Sequence, residues 1–437
     1  SLPCPIAMRW SDGEETFIRP IHWILSLLDD QLLPLELFSI TATNKSKGHR
    51  FLKDNKELTI VKIKDYTTQL EKEGGVITSQ EKRKQIITDQ LKKEGMKNPD
   101  QQLILENTNL TENPTVLKGK IDQQFLSLPA EIIEEVLKKH QKCFVQMKSE
   151  KMTPYFYMVA DGVTDKNKKN IIKGNEKVVQ ARLNDALFFY NDDISKPLKT
   201  YQDYLKRMTF QEKAGTIDDK IKRIKKIGNV VLNQLNEQSS IKQLNQAAEL
   251  SKCDLATKMV YEFTDLQGVI GSKYAALQNE DAIIVAAIEQ HYWPLPGSEQ
   301  LPQNPIATSL AIADRIDNLV YAFFSNQIPT GSKDPLALRR AVYAIIKIAM
   351  VHPLQLNAII DQAYQLWGKT QKNKAALIDF IKQRIKTEWI EHGIRYDIAD
   401  AVLDKEWNNI QSAFKKAQSL NELLNQNETQ FKLLQET

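Results

Sequence analysis

Asn304-Pro305-Ile306-Ala307-Thr308-Ser309-Leu310-Ala311-Ile312-Ala313-Asp314-Arg315-Ile316-Asp317-Asn318-Leu319-Val320-Tyr321-Ala322-Phe323-Phe324 reads as one long helix. Asn304 offers a side-chain acceptor to the free N–H groups of a first turn, and Pro305 has the fixed φ that suits its first position. At roughly 100° per residue, Ile306, Leu310, Ala313, Val320 and Phe324 share one apolar sector. Asp317 falls inside that sector and Asp314 at its edge. A carboxylate facing a core is costly unless it is paired, so neighbouring helices must supply partners.

The same periodicity finds candidates. On a predicted helix at 281–292, His291 falls among Ile284, Ala287 and Ile288. On another at 240–263, Lys252 shares the sector of Leu255, Ala256, Met259 and Phe263, with Asp254 two residues on. Two arrangements satisfy these groups. Lys252 pairs with Asp317 or Asp314 with His291 adjacent, or each is satisfied separately by backbone groups.

A further helix is predicted over 335–351, with Asp334 and Pro335 as its capping pair. Arg340, Tyr343 and Lys347 line one face at i, i+3 and i+7, and Arg339 lies alongside. Cations interleaved with an aromatic suit an RNA backbone plus base stacking; the other reading is a packed helix with its cations paired to carboxylates. The preceding loop, Thr330-Gly331-Ser332-Lys333, could present backbone N–H groups to a phosphate. The basic run around Ile221, Ile224 and Ile227 reads first as a solvated helix face and second as a phosphate contact.

Before about residue 210 the pattern is mixed. Runs at 17–28 and 32–40 flank Asp29-Asp30-Gln31 as a hairpin. A helix is expected at 80–94, strands at 114–121 and 154–159, a helix at 130–148, a Lys/Asn-rich loop at 166–173 and a helix at 175–190. His49 and Arg50 follow a Lys-rich turn, where RNA or plain solvent would meet them. After 366 the chain reads as helical and polar, without an obvious core of its own. The expected fold class is α+β, mostly α.

The chain has 437 residues, of which 42% are hydrophobic and 26% charged, so more than one domain and a globular balance are expected. No apolar run approaches the roughly 20 residues of a membrane helix. Cys4, Cys143 and Cys253 form no CxxC pair, which argues against a zinc ribbon or disulfide framework and for a reducing cytoplasm. A net charge of +4 permits an RNA partner without demanding one. No GxxxxGK[ST] or GxGxxG occurs, so nucleotide-activating chemistry is not visible. Opening on Ser rather than Met, the sequence is expected to be a fragment.

Several segments resemble the β subunit of bacterial glycine–tRNA ligase. They include Phe17-Ile18-Arg19-Pro20-Ile21-His22, Gly48-His49-Arg50-Phe51 and Gly174-Asn175-Glu176-Lys177-Val178-Val179-Gln180-Ala181-Arg182-Leu183. Ser251-Lys252-Cys253-Asp254-Leu255, Ala311-Ile312-Ala313-Asp314-Arg315-Ile316-Asp317 and Gly331-Ser332-Lys333-Asp334-Pro335-Leu336-Ala337-Leu338-Arg339-Arg340-Ala341 follow in the same order. The resemblance implies three parts. They are a module at 1–195 like the editing domain of phenylalanine–tRNA ligase β chains, an all-α HD-like domain at 196–366, and a helical connector at 367–437 towards an absent anticodon-binding region.

It also implies a non-activating, cytoplasmic subunit that binds tRNA(Gly) in an α2β2 heterotetramer. No cofactor is expected in this chain, because ATP and magnesium are used by the separate α subunit. Against the HD pattern of a first His, a His-Asp dyad and a later Asp, the first His is absent and Cys253-Asp254 stands at the dyad. The remaining Lys252, Asp254, His291, Asp314 and Asp317 are expected to form a polar cluster without a metal. No catalytic residue is expected. Two competing readings are a metal-dependent HD-type phosphohydrolase, disfavoured by the missing imidazoles, and a tRNA-editing hydrolase, for which no Ser/His/Asp or Cys/His set can be assembled.

Overall fold

The computed structural model of the chain describes residues 7–9, 13–14, 16–148, 151–211, 214–330, 333–368 and 371–426. Gly331 and Ser332 of the predicted phosphate loop lie outside the described residues. Helices dominate and strands are short, an α+β fold that is mostly α. The chain divides into two units, Ser1–Leu187 and Phe188–Thr437.

The first unit is built on a three-stranded antiparallel sheet with Lys151–Asp161 in the centre, flanked by Phe144–Lys148 and Pro114–Lys120. Phe144 and Tyr157 pack with Ile87 and Leu91 of the Gln80–Lys93 helix and Leu103 and Ile104 of the Gln101–Leu110 helix. Gly119 is required where it pairs with Phe156, because a Cβ there would come within 2.4 Å of the ring. The hairpin expected at Asp29–Asp30 forms, with Leu28 opposite Gln31 and both turn residues at positive φ, as a two-residue turn demands. The helix expected over 130–148 stops at His140, and Phe144–Lys148 becomes an edge strand because Phe144 and Val145 are needed opposite Tyr157 and Phe156. The stretch expected as a loop at 166–173 is already helical from Lys168, at the start of the Lys168–Ile194 helix.

The second unit is assembled around the Pro305–Phe324 helix, which is apolar nearly all round and packs against Ile217–Gln234, Ala282–Gln290, Leu338–Val351, Leu356–Trp367 and Lys374–Glu391. Asn304 caps it as expected, accepting from the Ala307 N–H at 2.8 Å. Three expectations are corrected. The helix predicted over 240–263 breaks into Ile241–Leu250, a tight turn at Cys253–Ala256 and Lys258–Glu262, capped by the Thr257 side chain. The helix predicted from Pro335 starts at Leu338 after a turn through Ala337, whose φ is +52°; Asp334 caps it from a distance by accepting from the N–H groups of Leu338 and Arg339. The stretch after 366 is no bare connector: Leu377, Ile381, Ile385 and Trp389 are buried, and their helix packs on Pro305–Phe324 and Leu338–Val351.

Candidate functional site

Asp314 and Asp317 lie one turn apart on the central helix of the second unit, both buried. Lys220 and Arg223, one turn apart on Ile217–Gln234, meet them. The Lys220 ammonium is 2.7 Å from Asp314 Oδ1 and 3.4 Å from Asp317 Oδ2, and donates to Asn318 Oδ1 at 2.6 Å. Arg223 grips Asp317 with two donors, Nε at 2.7 Å and a terminal nitrogen at 3.1 Å. Its guanidinium lies 3.9 Å from the centre of the Trp367 ring, and the indole N–H donates to Asp317 at 3.0 Å. Asp317 is thus held by two cations and an indole, and its partner is not Lys252.

Lys252 takes the other carboxylate. Its ammonium lies 2.8 Å from Asp314 Oδ2, 2.8 Å from His291 Nε2 and 3.0 Å from the Tyr292 hydroxyl, which uses all three of its donors. His291 Nδ1 lies 2.7 Å from the Ile288 carbonyl, so Nδ1 carries the proton and Nε2 accepts from the ammonium. Burial, reinforced by the Lys252 charge, pushes the imidazole pKa well below its ordinary value and keeps the ring neutral. Burial alone would raise the Asp314 pKa, but Lys220 and Lys252 outweigh it and hold the group well below the usual carboxylate range. Between His291 and Asp314 sits an ammonium, and the one imidazole lone pair is taken.

The remaining expected member, Asp254, is placed apart. Its Oδ2 accepts from the N–H groups of Gly268 at 2.6 Å and Gly271 at 3.2 Å, while Oδ1 is buried without a hydrogen bond. Burial raises its pKa to about 6, against the pull of those N–H groups. Gly271 leaves no room for a side chain, since a Cβ would come within 2.9 Å of this carboxylate. The sequence reading missed Lys220, Arg223 and Trp367. The signal for Lys220 was there: it shares the i, i+3, i+4 spacing of Ile217, Ile221, Ile224 and Ile227, all buried with it. Its charge argued for solvent and hid it.

The RNA candidates divide. Arg50, Lys333 and Arg340 are exposed, and Tyr343 is 39% exposed. Arg339 is half-buried. Lys347 is turned inward instead, 2.8 Å from the buried Glu388. Burial works against its charge, yet Glu388 and Tyr343 hold its pKa above the ordinary lysine value. In the loop before that helix, the Lys333 N–H is already given to the Thr330 carbonyl at 2.8 Å.

His49 is corrected outright: it is 1% exposed and faces no solvent. Its Nδ1 accepts from the Phe51 and Leu52 N–H groups at 3.1 and 3.3 Å, and Nε2 lies 3.1 Å from Asp161 Oδ2, misaligned for a hydrogen bond. Asp161 Oδ1 in turn accepts from the Glu112 and Asn113 N–H groups. Glu112 is near enough that His49, Glu112 and Asp161 have the spacing of a metal-ligand set. The two N–H groups aimed at Nδ1 fix the ring proton on Nε2, which removes the lone pair a metal would need. The trio is a loop clasp, and Gly162 admits the ring, since a Cβ there would come within 2.4 Å of it.

Fold and site define a two-unit, mostly helical protein whose second unit has a polar centre held by lysine and arginine pairs. Comparison with known proteins makes this specific. The glycyl-tRNA synthetase beta subunit family profile matches residues 1–404. A glycine–tRNA ligase beta subunit of Listeria monocytogenes is 36% identical over 97% of this chain and 63% of its own length. That of Trichodesmium erythraeum is 40% identical over 91% and 58%. That of Clostridioides difficile is 36% identical over 98% and 63%. The chain belongs to the glycyl-tRNA synthetase beta subunit family. It spans about 63% of the length of the Listeria and Clostridioides relatives. Among the described residues no helix is long and apolar enough to cross a membrane.

Proposed function

We propose that this chain is the tRNA-handling part of a glycine–tRNA ligase β subunit, working in the cytoplasm within an α2β2 assembly. It holds tRNA(Gly) while a separate α subunit activates glycine with ATP and magnesium. The observation that carries this reading is the family match running from residue 1 to 404. Arg50, Lys333, Arg340 and Tyr343 are the groups exposed for RNA, the cations for phosphate and the aromatic for stacking. Arg339 lies beside Arg340 on the Leu338–Val351 helix.

The second unit is read as an HD-like domain without HD chemistry, in which the Lys252 ammonium takes the place of a metal between His291 and Asp314. The first unit is read as the editing-like module. A gel shift with tRNA(Gly), run with and without added α subunit, tests the assignment: a shift by this chain that the α subunit strengthens is expected. No shift in either case refutes it. Robust glycine-dependent pyrophosphate exchange by this chain alone would also refute it, because adenylate formation belongs to the other subunit.

A further inference from the structure

A cleft of about 290 Å³ opens beside the charged cluster, between the Pro294–Pro296 turn, the central helix and the start of the Leu338–Val351 helix. Its inner wall carries Asp314, Arg315 and Asn318 from the central helix, with the Asp314 carboxylate already taken by Lys220 and Lys252, and Arg340 and Tyr343 stand on its outer wall. The wall chemistry is uneven. Pro294, Leu295 and Tyr343 make an apolar and aromatic side, where a hydrated inorganic ion would gain nothing. Arg315 and Arg340 supply the positive charge, and the Asp314 carboxylate on the same wall is neutralised by Lys220 and Lys252.

The charges do not balance. The cleft wall and the cluster behind it together hold Lys220, Arg223, Lys252 and Arg315, four cations, against Asp314, Asp317 and Asp254, three carboxylates. Among the described residues Arg315 makes no carboxylate pair; its guanidinium donates there to the backbone carbonyls of His291, Ala311 and Tyr292. Asn318 gives its oxygen to Lys220, which leaves its N–H₂ group as a donor. Arg340, at the mouth, is exposed and adds a further positive charge. A cation held by neutral partners near a low-dielectric wall favours an anion brought to it.

We infer that this cleft binds one nucleoside monophosphate unit. The phosphate sits within reach of Arg340, Arg315 and the Asn318 amide, and the base lies flat against Tyr343, Pro294 and Leu295. Arginine matches phosphate geometry with paired donors, and base–aromatic stacking tolerates any base. The unit has two possible sources, a free mononucleotide or an unstacked nucleotide of a bound RNA. The inference rests on the cleft and its charge and does not require the tRNA reading.

The experiment is calorimetric titration of the chain with AMP and GMP, with adenosine and inorganic phosphate as half-ligand controls. Two variants accompany it: Arg340→Ala removes the phosphate partner, and Leu295→Trp fills the cleft from a side chain that is 48% exposed. Melting curves establish that both variants fold like the parent. The expected result is binding of a mononucleotide, with each control and each variant at least tenfold weaker. Displacement of the mononucleotide by tRNA(Gly) identifies the occupant as a nucleotide of RNA. Binding without displacement identifies a free nucleotide. A tenfold loss of tRNA affinity in Leu295→Trp, even with no free nucleotide bound, also supports the site. If no mononucleotide binds and Leu295→Trp leaves tRNA affinity unchanged, the inference is wrong.

Discussion

Replacing Lys252 by methionine keeps the length of the side chain and removes its three donors. Asp314 Oδ2, His291 Nε2 and the Tyr292 hydroxyl each lose a partner that stood 2.8–3.0 Å away. Breaking a buried ion pair costs roughly 3–5 kcal/mol. Here Asp314 retains Lys220 at 2.7 Å on its other oxygen, so its charge is not abandoned. That places the expected loss near the lower edge, about 3 kcal/mol. For a unit of this size about 1 kcal/mol moves the melting point by about 2–4 °C, so a fall of about 6–12 °C is expected.

The pH profile should change with it. The folded Asp314 pKa is depressed, so its contribution is fully present above the unfolded carboxylate value and lost as pH falls through the folded one. Without Lys252 that folded value rises, and Lys252→Met should lose stability at a higher pH than the parent during acidification. Adding Asp314→Asn should recover part of the loss. Lys222→Met is the control, because that lysine is 63% exposed and its pairs with Asp218 and Asp219 are surface pairs. The assay is urea unfolding followed by circular dichroism. A Lys252→Met variant within about 0.5 kcal/mol of the parent, the range of ordinary surface changes, would refute the account of the cluster.

Arg340→Ala should weaken tRNA(Gly) binding without loss of stability and lower the salt slope by about one unit. Lys347→Ala, on the same helix face, should instead destabilise the fold, because it abandons the buried Glu388; gel shifts at several salt concentrations and melting curves separate the two. Arg223→Lys keeps the charge but loses the two-donor grip on Asp317 and the stack on Trp367, and should cost about 1–3 kcal/mol by urea unfolding. Asp254, with a folded pKa raised to about 6, binds more protons folded than unfolded, so between about pH 7.5 and 5 it should add about 1 kcal/mol of stability as pH falls. That increment should be missing in Asp254→Asn, and an identical pH profile in the two proteins would contradict it.

Some of this was legible in the sequence because the decisive physics is local. Asn304–Pro305 announces a helix start, and the spacing after it announces a buried face. Lys252, His291 and Asp317 in three apolar sectors left a Lys252 pair with Asp317 or Asp314 as one of two readings. Lys252 does meet His291, but its carboxylate is Asp314 at the sector's edge, and the helix assumed for Lys252 is broken at that residue. Lys252 is buried at the tight turn all the same, so the expectation that it faces the core survived a wrong element. His49 was not legible. Its burial depends on Asp161 and on the absence of a side chain at Gly162, a strand away in the fold and far off in sequence. Asp317 was half legible: its need for a partner could be read, but two cations from a lysine-rich run looked like surface.

The helix carrying Arg340, Tyr343 and Lys347 shows where periodicity stops. Residues at i, i+3 and i+7 share a face whatever surrounds the helix. What they meet depends on which neighbour crosses that face and where. Lys374–Glu391 packs against this helix and brings the buried Glu388 to the Lys347 end, while Arg340 and Tyr343, nearer the N-terminus, stay open beside the cleft. One stripe therefore yields a structural ion pair at one end and a candidate ligand-binding pair at the other. The choice between packing and RNA contact is made residue by residue, by the reach of a helix whose crossing point no local pattern encodes.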